Sequence, residues 1–155
     1  NLADYLPIDS FEHVATGPFT HLYPKKGYTE TAYKILKKVP HISVYRKSEL
    51  PARLHFGSSP RIGELVLIAD LGTQIFFRPQ GIPKDFLHAG HGFDNKNPEM
   101  YAIFKAVGPD FQPGRKVSKP IPNITLYPLV CRILGLQPGA HDADEALASS
   151  LLKKK

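Results

Sequence analysis

A continuous apolar run, Leu-Val-Leu-Ile-Ala, lies between Glu64 and Asp70. Successive side chains of a strand point to opposite faces of its sheet, so a strand without polar positions is one buried on both faces. The run therefore predicts a buried strand over residues 64–69. The chain has 155 residues, of which 42% are hydrophobic and 22% charged, and this length and composition are typical of a soluble globular domain with a real core.

The segment before this run alternates between strand and helix patterns. Residues 17–23 alternate apolar and polar side chains, which indicates a half-buried strand. In residues 29–39 the apolar side chains recur at helical spacing, and Thr29 is placed to cap the N-terminus. Residues 41–45 indicate another strand. We expect a small α+β subdomain or insertion over about residues 17–60.

The segment after the run completes a mixed pattern, so the predicted fold class is α/β. Residues 73–77 are predicted to return as a strand and to form a hairpin with residues 64–69. Residues 78–98 are rich in Gly, Pro, Asn and Asp and predict a long irregular loop. The remaining predictions are a strand over residues 100–107, a helix over 123–134 capped by Asn123 or Thr125, and a helix over 142–152. Residues 61–155 would thus hold the core strands, this loop and the closing helices.

Composition excludes several classes of protein. The net charge is +6, but the basic residues are dispersed and form no arginine stripe with interleaved aromatics, so we expect no nucleic-acid binding. No apolar run approaches the roughly 20 residues of a membrane-spanning helix. The single cysteine, Cys131, leaves no partner for an intrachain disulfide. Residue 1 is Asn and the one methionine is Met100, which suggests a processed product or a fragment.

The long loop contains the residues best suited to bind a metal. Residues 85–94 bring together two histidines, His88 and His91, and two carboxylates. Neutral imidazole is a preferred zinc ligand, and carboxylates serve as ligands or orient the imidazole rings. Gly90 and Gly92 allow the backbone on both sides of His91 to approach a ligand closely. By composition alone this is a weak signal, because glycine-rich loops with a single histidine are common.

The chain by itself lacks the groups that catalysis requires. A hydrolytic zinc site normally has three protein ligands, and a site with two metal ions needs about twice as many. No second cluster of His and Asp is present, and no Ser, Thr or Cys stands in a recognisable nucleophile setting. We therefore expect no catalytic residue in this chain and no turnover by the chain alone.

A longer match in the sequence identifies a family. The segment 90–95, Gly-His-Gly-Phe-Asp-Asn, resembles the H-G-(Y/F)-D-N motif of the nucleotide pyrophosphatase/phosphodiesterase (type I phosphodiesterase) family of the alkaline phosphatase superfamily. Further segments are similar to that family in the same order, and together they cover most of residues 14–138. They are residues 45–47, 50–56, 67–70, 102–111, 123–127 and 131–138.

The resemblance implies a fold, a reaction and a site. The fold would be an alkaline-phosphatase-like α/β sandwich, of which this chain is the C-terminal part. The reaction would be hydrolysis of small phosphodiester or nucleotide substrates through a phosphorylated Thr or Ser, with two zinc ions. His91 would be one zinc ligand, whereas His88 has no counterpart in the family. The supporting motif residues are Gly90, Gly92, Asp94 and Asn95.

The same resemblance places the nucleophile and the other zinc ligands in segments that precede this chain in the family. Members of the family are usually exported, so we expect a periplasmic or extracellular protein. Two alternatives stay open. One is a non-catalytic binding module built on a remnant of the fold. The other is a different branch of the superfamily, such as a lysophospholipase- or choline-type phosphodiesterase or a phosphonate hydrolase.

Overall fold

The computed structural model describes residues 1–82 and 90–153. The chain divides into two compact units, Asn1–Tyr101 and Ala102–Lys155. In the described residues, the first unit contains a four-stranded sheet and one α-helix, and the second contains two α-helices. No helix in the described part of the chain is long and apolar enough to cross a membrane.

The first unit is organised around an antiparallel sheet. The strands are β1 (Phe11–Val14), β2 (Phe19–Pro24), β3 (Ile42–Arg46) and β4 (Leu65–Ala69). Their order in the sheet is β1-β2-β4-β3, and all neighbouring strands are antiparallel. Every residue of β4 is buried, as the apolar run predicted, because β4 lies between two other strands and is covered on both faces.

The helix of the first unit covers one face of this sheet. Helix α1 (Thr29–Leu36) packs Ala32 and Leu36 into a core that also contains Leu22, Val44 and Leu67. The predicted cap was wrong, because Tyr28 occupies the N-cap position and the Thr29 hydroxyl donates to the Glu64 carboxylate instead. The helix also ends three residues before the predicted boundary, and residues 37–39 continue as a turn.

The predicted hairpin of residues 64–77 was wrong. Both edges of β4 are hydrogen-bonded, one to β2 and the other to β3, so neither edge is left for residues 73–77. Ile75 instead forms an isolated antiparallel bridge with Gly17. The sheet therefore contains strands from both sides of residue 60. The division into a subdomain over about residues 17–60 and a core over residues 61–155 stays a prediction.

The second unit is a small helical arrangement. A 3-10 turn (Asn123–Thr125) leads into helix α2 (Leu126–Ile133), and helix α3 is Glu145–Ser150. Leu129 of α2 packs against Ala148 and Leu151 of the α3 region. Thr125 occupies the N-cap position of α2, as one of the two predicted alternatives placed it, but its side chain forms no capping hydrogen bond. Asp144 caps α3, since its carboxylate accepts from the amides of Ala146 and Leu147.

The strand predicted over residues 100–107 was also wrong. Residues 98–100 form a 3-10 turn (Pro98–Met100), and residues 101–107 are irregular. A strand needs a partner for its backbone hydrogen bonds, and no described segment pairs with these residues. Their side chains are correspondingly exposed, with 96% of Ile103 and 86% of Val107 accessible to solvent.

Candidate functional site

The glycine-histidine motif lies in the irregular segment that precedes the turn Pro98–Met100. Asp94 organises the C-terminal end of the motif, since one carboxylate oxygen accepts from the amide of Lys96 at 2.9 Å and its carbonyl accepts from the amide of Asn97 at 3.0 Å. These bonds fold residues 94–97 into a tight turn of the kind that aspartate side chains favour. Asp94 is thus a structural anchor of the motif.

A second anchor reaches the motif from a distant part of the chain. Arg53 donates to both carboxylate oxygens of Asp94, at 2.8 Å from Nη1 and 2.5 Å from Nη2. Nη1 also donates to the side-chain oxygen of Asn95 at 3.1 Å. Solvent reaches 30% of the Arg53 side chain and 19% of the Asp94 side chain. The Arg53 guanidinium holds the pKa of the Asp94 carboxyl below its usual range, so the pair is ionised at neutral pH.

The two glycines of the motif lie close to neighbouring groups of the first unit. A Cβ on Gly90 would lie 2.6 Å from Nε2 of the Gln74 side chain, and a Cβ on Gly92 would lie 3.6 Å from Cγ of Pro18. Gly92 has φ of +88°, a region that side chains with a Cβ rarely adopt. The backbone around His91 therefore requires glycine at position 92 for its conformation, whereas at position 90 the flexible end of the Gln74 side chain can move to admit a Cβ.

His91 itself is exposed and is available to a ligand. Among the residues that the structure describes, none forms a hydrogen bond or an ion pair with its imidazole. His88, which the sequence placed in the same cluster, lies outside the described residues. Within residues 1–82 and 90–153, no three His, Cys, Asp or Glu side chains form a group that could hold a metal ion.

The motif loop lies over the sheet face that carries Ser43 of β3 and Ile68 of β4. Ser43 and Ile68 pair across these two strands and line an open pocket together with Asp94 and Lys96. Asp70, at the end of β4, contributes a second carboxylate to this pocket. The pocket walls thus carry charges of both signs. The motif lies beside the C-terminal end of β4, one of the two inner strands of the sheet.

Arg53 is the site residue to which the sequence assigned no role. It occurs within one of the segments that resemble the family, but the partner Asp94 lies 41 residues further along the chain. No local spacing rule connects two residues so far apart, and no sequence pattern in this chain could have joined them. The fold makes the contact, because the turn Ala52–Leu54 and the motif loop lie beside each other in the first unit.

Comparison with known proteins assigns the chain to a family. The sequence model described as type I phosphodiesterase / nucleotide pyrophosphatase matches residues 1–94, more than half of the 155 residues. The chain belongs to the type I phosphodiesterase/nucleotide pyrophosphatase family. The resemblance expected from the motif at residues 90–95 is thereby confirmed, and it places the chain in the alkaline phosphatase superfamily.

Curated relatives extend the match beyond residue 94. Ectonucleotide pyrophosphatase/phosphodiesterase family member 7 of Mus musculus is 35% identical over 144 residues, which are 92% of this chain and 32% of that protein. The Homo sapiens counterpart is 39% identical over 143 residues, 92% of this chain and 30% of that protein. The bis(5'-adenosyl)-triphosphatase of Bos taurus is 38% identical over 139 residues, 89% of this chain and 29% of that protein. This phosphodiesterase-family chain spans less than a third of the length of each of these relatives.

Solved structures of the family share the fold. Human ectonucleotide pyrophosphatase/phosphodiesterase 5 aligns with a TM-score of 0.87 and 31% identity, covering 99% of this chain and 40% of that chain. The murine protein, as an inactive threonine-to-alanine variant in complex with AMP, aligns with a TM-score of 0.85 and 30% identity over the same shares. The predicted fold class is confirmed, since the chain forms part of an alkaline-phosphatase-like α/β fold.

Proposed function

We propose that the complete protein hydrolyses phosphodiester or phosphoanhydride bonds of small molecules, nucleotides among them, in a reaction that depends on two zinc ions. The single observation that carries this proposal is the placement of His91. In a chain of the phosphodiesterase family, its exposed imidazole lies in the glycine-histidine motif, and the described residues offer it no competing hydrogen-bond partner.

The chemistry of this loop fits zinc. Imidazole nitrogen is among the preferred ligands of this ion, and the exposed ring of His91 leaves room for further ligands from other segments. The described part of the chain offers no group of three ligands, so His91 would supply one ligand of a site that other segments of the complete protein complete. When bound, zinc would favour the ionised nucleophile and offset negative charge on the transferring phosphoryl group.

The nucleophile is proposed to be a Thr or Ser outside this chain that becomes phosphorylated before water releases the product. A threonine-to-alanine change in the murine neighbour gives the variant described as inactive, which supports a threonine in this role. The residues of this chain would therefore bind metal and shape the loop. None of them forms or breaks the phosphorus–oxygen bond.

Nucleotides are the proposed substrates, and export is the proposed fate of the protein. One relative is a bis(5'-adenosyl)-triphosphatase, and one solved neighbour is in complex with AMP. Other relatives carry the name ectonucleotide pyrophosphatase/phosphodiesterase, which supports an extracellular location.

Hydrolysis of a nitrophenyl phosphodiester by the full-length protein tests the proposal. Chelation should abolish turnover, and added zinc should restore it. His91→Ala should lower kcat/KM, because one metal ligand is lost. The matched control is His13→Ala, since His13 is an exposed histidine of β1 outside the motif.

Four results would count against the proposal. Hydrolysis by the full-length protein that survives chelation would exclude a zinc-dependent reaction, and equal activity of the His91→Ala and His13→Ala proteins would remove His91 from the site. Robust turnover by the 155-residue chain alone would show that the chain carries its own catalytic groups. A full-length protein that binds nucleotides and does not hydrolyse them would instead favour the non-catalytic binding module.

A further inference from the structure

The loop that carries His91 has few backbone attachments. Within the part of the chain that the structure describes, residues 90–93 form no backbone hydrogen bond. The first attached residue after His91 is Asp94, which is bonded to Lys96 and Asn97 of its own turn. Those bonds are local, so they shape the turn without attaching it to the sheet. Among the hydrogen bonds and ion pairs of the described residues, those of Arg53 attach this turn to the rest of the unit.

Arg53 is itself attached to the sheet. It lies in the 3-10 turn Ala52–Leu54, which ends at His55 in a left-handed conformation with φ of +48°. The next residue, Phe56, contacts the rings of Phe19 and His21 of β2 in edge-to-face geometry, each with ring centroids 5.3 Å apart. The segment from residue 52 to 56 is thereby packed on the face of β2, and the Arg53 side chain projects from a fixed backbone.

We propose that Arg53 is a positioning residue for the zinc ligand His91, acting through its bidentate ion pair with Asp94. This inference rests on the proposed function, in which His91 binds zinc. A bidentate arginine–carboxylate pair fixes orientation as well as distance, because two parallel hydrogen bonds prevent rotation of the carboxylate. Fixing Asp94 three residues after His91 limits the positions that the imidazole can take before the metal binds.

The geometry distinguishes arginine from lysine at this position. Arg53 makes three contacts from two nitrogens, two of them to Asp94 and one to Asn95. A lysine retains the positive charge but presents a single ammonium group, which cannot bond both carboxylate oxygens in one plane. Arg53→Lys therefore keeps the positive charge beside Asp94 but no longer fixes the orientation of the Asp94 carboxylate.

Arg46→Lys in the same protein is a matched control. Arg46 also forms a bidentate pair, with Nε and Nη2 each 2.8 Å from the two oxygens of Glu30, and solvent reaches 32% of its side chain against 30% for Arg53. That pair links β3 to α1 and does not contact the motif. Both substitutions thus remove a bidentate pair, at two different places, and Arg46→Lys also perturbs the 2.6 Å bond from Nη1 to Glu49.

Two measurements on the full-length protein test the inference. Hydrogen exchange of the metal-free protein should become faster at the amides of Lys96 and Asn97, which donate to Asp94, in Arg53→Lys and stay unchanged there in Arg46→Lys. The zinc dissociation constant, measured by competition with a chelator, should rise about 10- to 100-fold in Arg53→Lys, as is typical when a residue supporting a metal ligand is lost. In Arg46→Lys it should equal that of the wild type. Asp94→Asn is a second, nearly isosteric variant if Arg53→Lys does not fold, and the same rise is expected.

The outcomes separate this inference from the function on which it rests. If the wild type binds zinc and loses it in His91→Ala, but Arg53→Lys and Asp94→Asn keep the wild-type affinity, the positioning role is wrong and the proposed function stands. If zinc binding by the wild type does not depend on His91, the proposed function fails and the positioning role fails with it. The inference is supported if the zinc dissociation constant rises in Arg53→Lys and Asp94→Asn but not in Arg46→Lys.

Discussion

Replacing Gly92 with alanine should raise the free energy of the backbone conformation next to His91. Gly92 has φ of +88°. An alanine Cβ there would lie 3.6 Å from Cγ of Pro18, an ordinary van der Waals contact, so no steric overlap adds to the cost. The cost is conformational, and a left-handed backbone disfavours a residue with a Cβ by about 1–2 kcal/mol.

That cost should appear as a loss of zinc affinity. Residues 90–93 form no backbone hydrogen bond within the described chain, so the loop can relieve the strain by changing its conformation. A cost of 1–2 kcal/mol corresponds to a factor of about 5 to 30 in the population of the original conformation. We expect the zinc dissociation constant of the full-length Gly92→Ala protein to rise by that factor in a chelator competition assay.

The matched control is Gly27→Ala. Gly27 has φ of +83°, lies between β2 and α1, and has no other atom within 4 Å of the position of a Cβ. Its intrinsic conformational cost is therefore the same, but it should lower the thermal stability without changing zinc affinity. The reasoning is refuted if Gly92→Ala binds zinc as tightly as the wild type, or if Gly27→Ala weakens zinc binding to the same degree.

Three further predictions concern stability. Leu67→Ala should lower the free energy of unfolding by about 2–5 kcal/mol in urea titrations, because Leu67 is fully buried at the centre of the sheet, whereas Leu71→Ala, at a position 41% exposed, should lower it less. Asp94→Asn should destabilise the protein at neutral pH. Arg53 lowers the pKa of the Asp94 carboxyl in the folded protein, so the stabilisation by the ionised carboxylate is complete above the ordinary aspartate pKa of about 3.9. It is lost as the pH falls through the lower pKa of the folded protein. The difference in the free energy of unfolding between wild type and Asp94→Asn should therefore vanish at that low pH. Arg46→Ala should lower the Tm more at low salt than at high salt, since it removes the ion pairs with Glu30 and Glu49. Part of the loss should persist because the guanidinium also lies 3.7 Å from the Tyr33 ring centroid.

Each of these predictions has a contradicting result. Equal destabilisation by the two leucine substitutions would mean that β4 is not the centre of the core. A difference between wild type and Asp94→Asn that stays constant down to the lowest pH would show that the carboxylate form is not favoured by folding. A Tm loss in Arg46→Ala that does not depend on salt would assign the whole contribution of Arg46 to its stacking on Tyr33.

Local patterns predicted the elements whose cause is local. The apolar run of β4 and the helical spacing of α1 identified both elements to within three residues. The hairpin failed because partner choice is a long-range property, and both edges of β4 pair with β2 and β3. The strand expected at residues 100–107 failed for a related reason, since a strand-like composition specifies a strand only where another segment offers its backbone groups.

The candidate site shows the same difference between features with local causes and features with long-range causes. The motif around His91 was recognisable because its residues are adjacent in the sequence. The contact of Arg53 with Asp94 was not, because it exists only after the turn Ala52–Leu54 and the motif loop have been brought together by the sheet. Assignment of His91 as a zinc ligand stays a prediction, because its remaining ligands would come from other segments of the complete protein.

The role of His91 is tested most directly by anomalous diffraction at the zinc edge from crystals of the zinc-loaded full-length protein. We predict an anomalous peak about 2.0–2.1 Å from an imidazole nitrogen of His91, the usual zinc–nitrogen bond length. Zinc peaks that are coordinated elsewhere, with the His91 ring bound to no metal, would contradict the assignment.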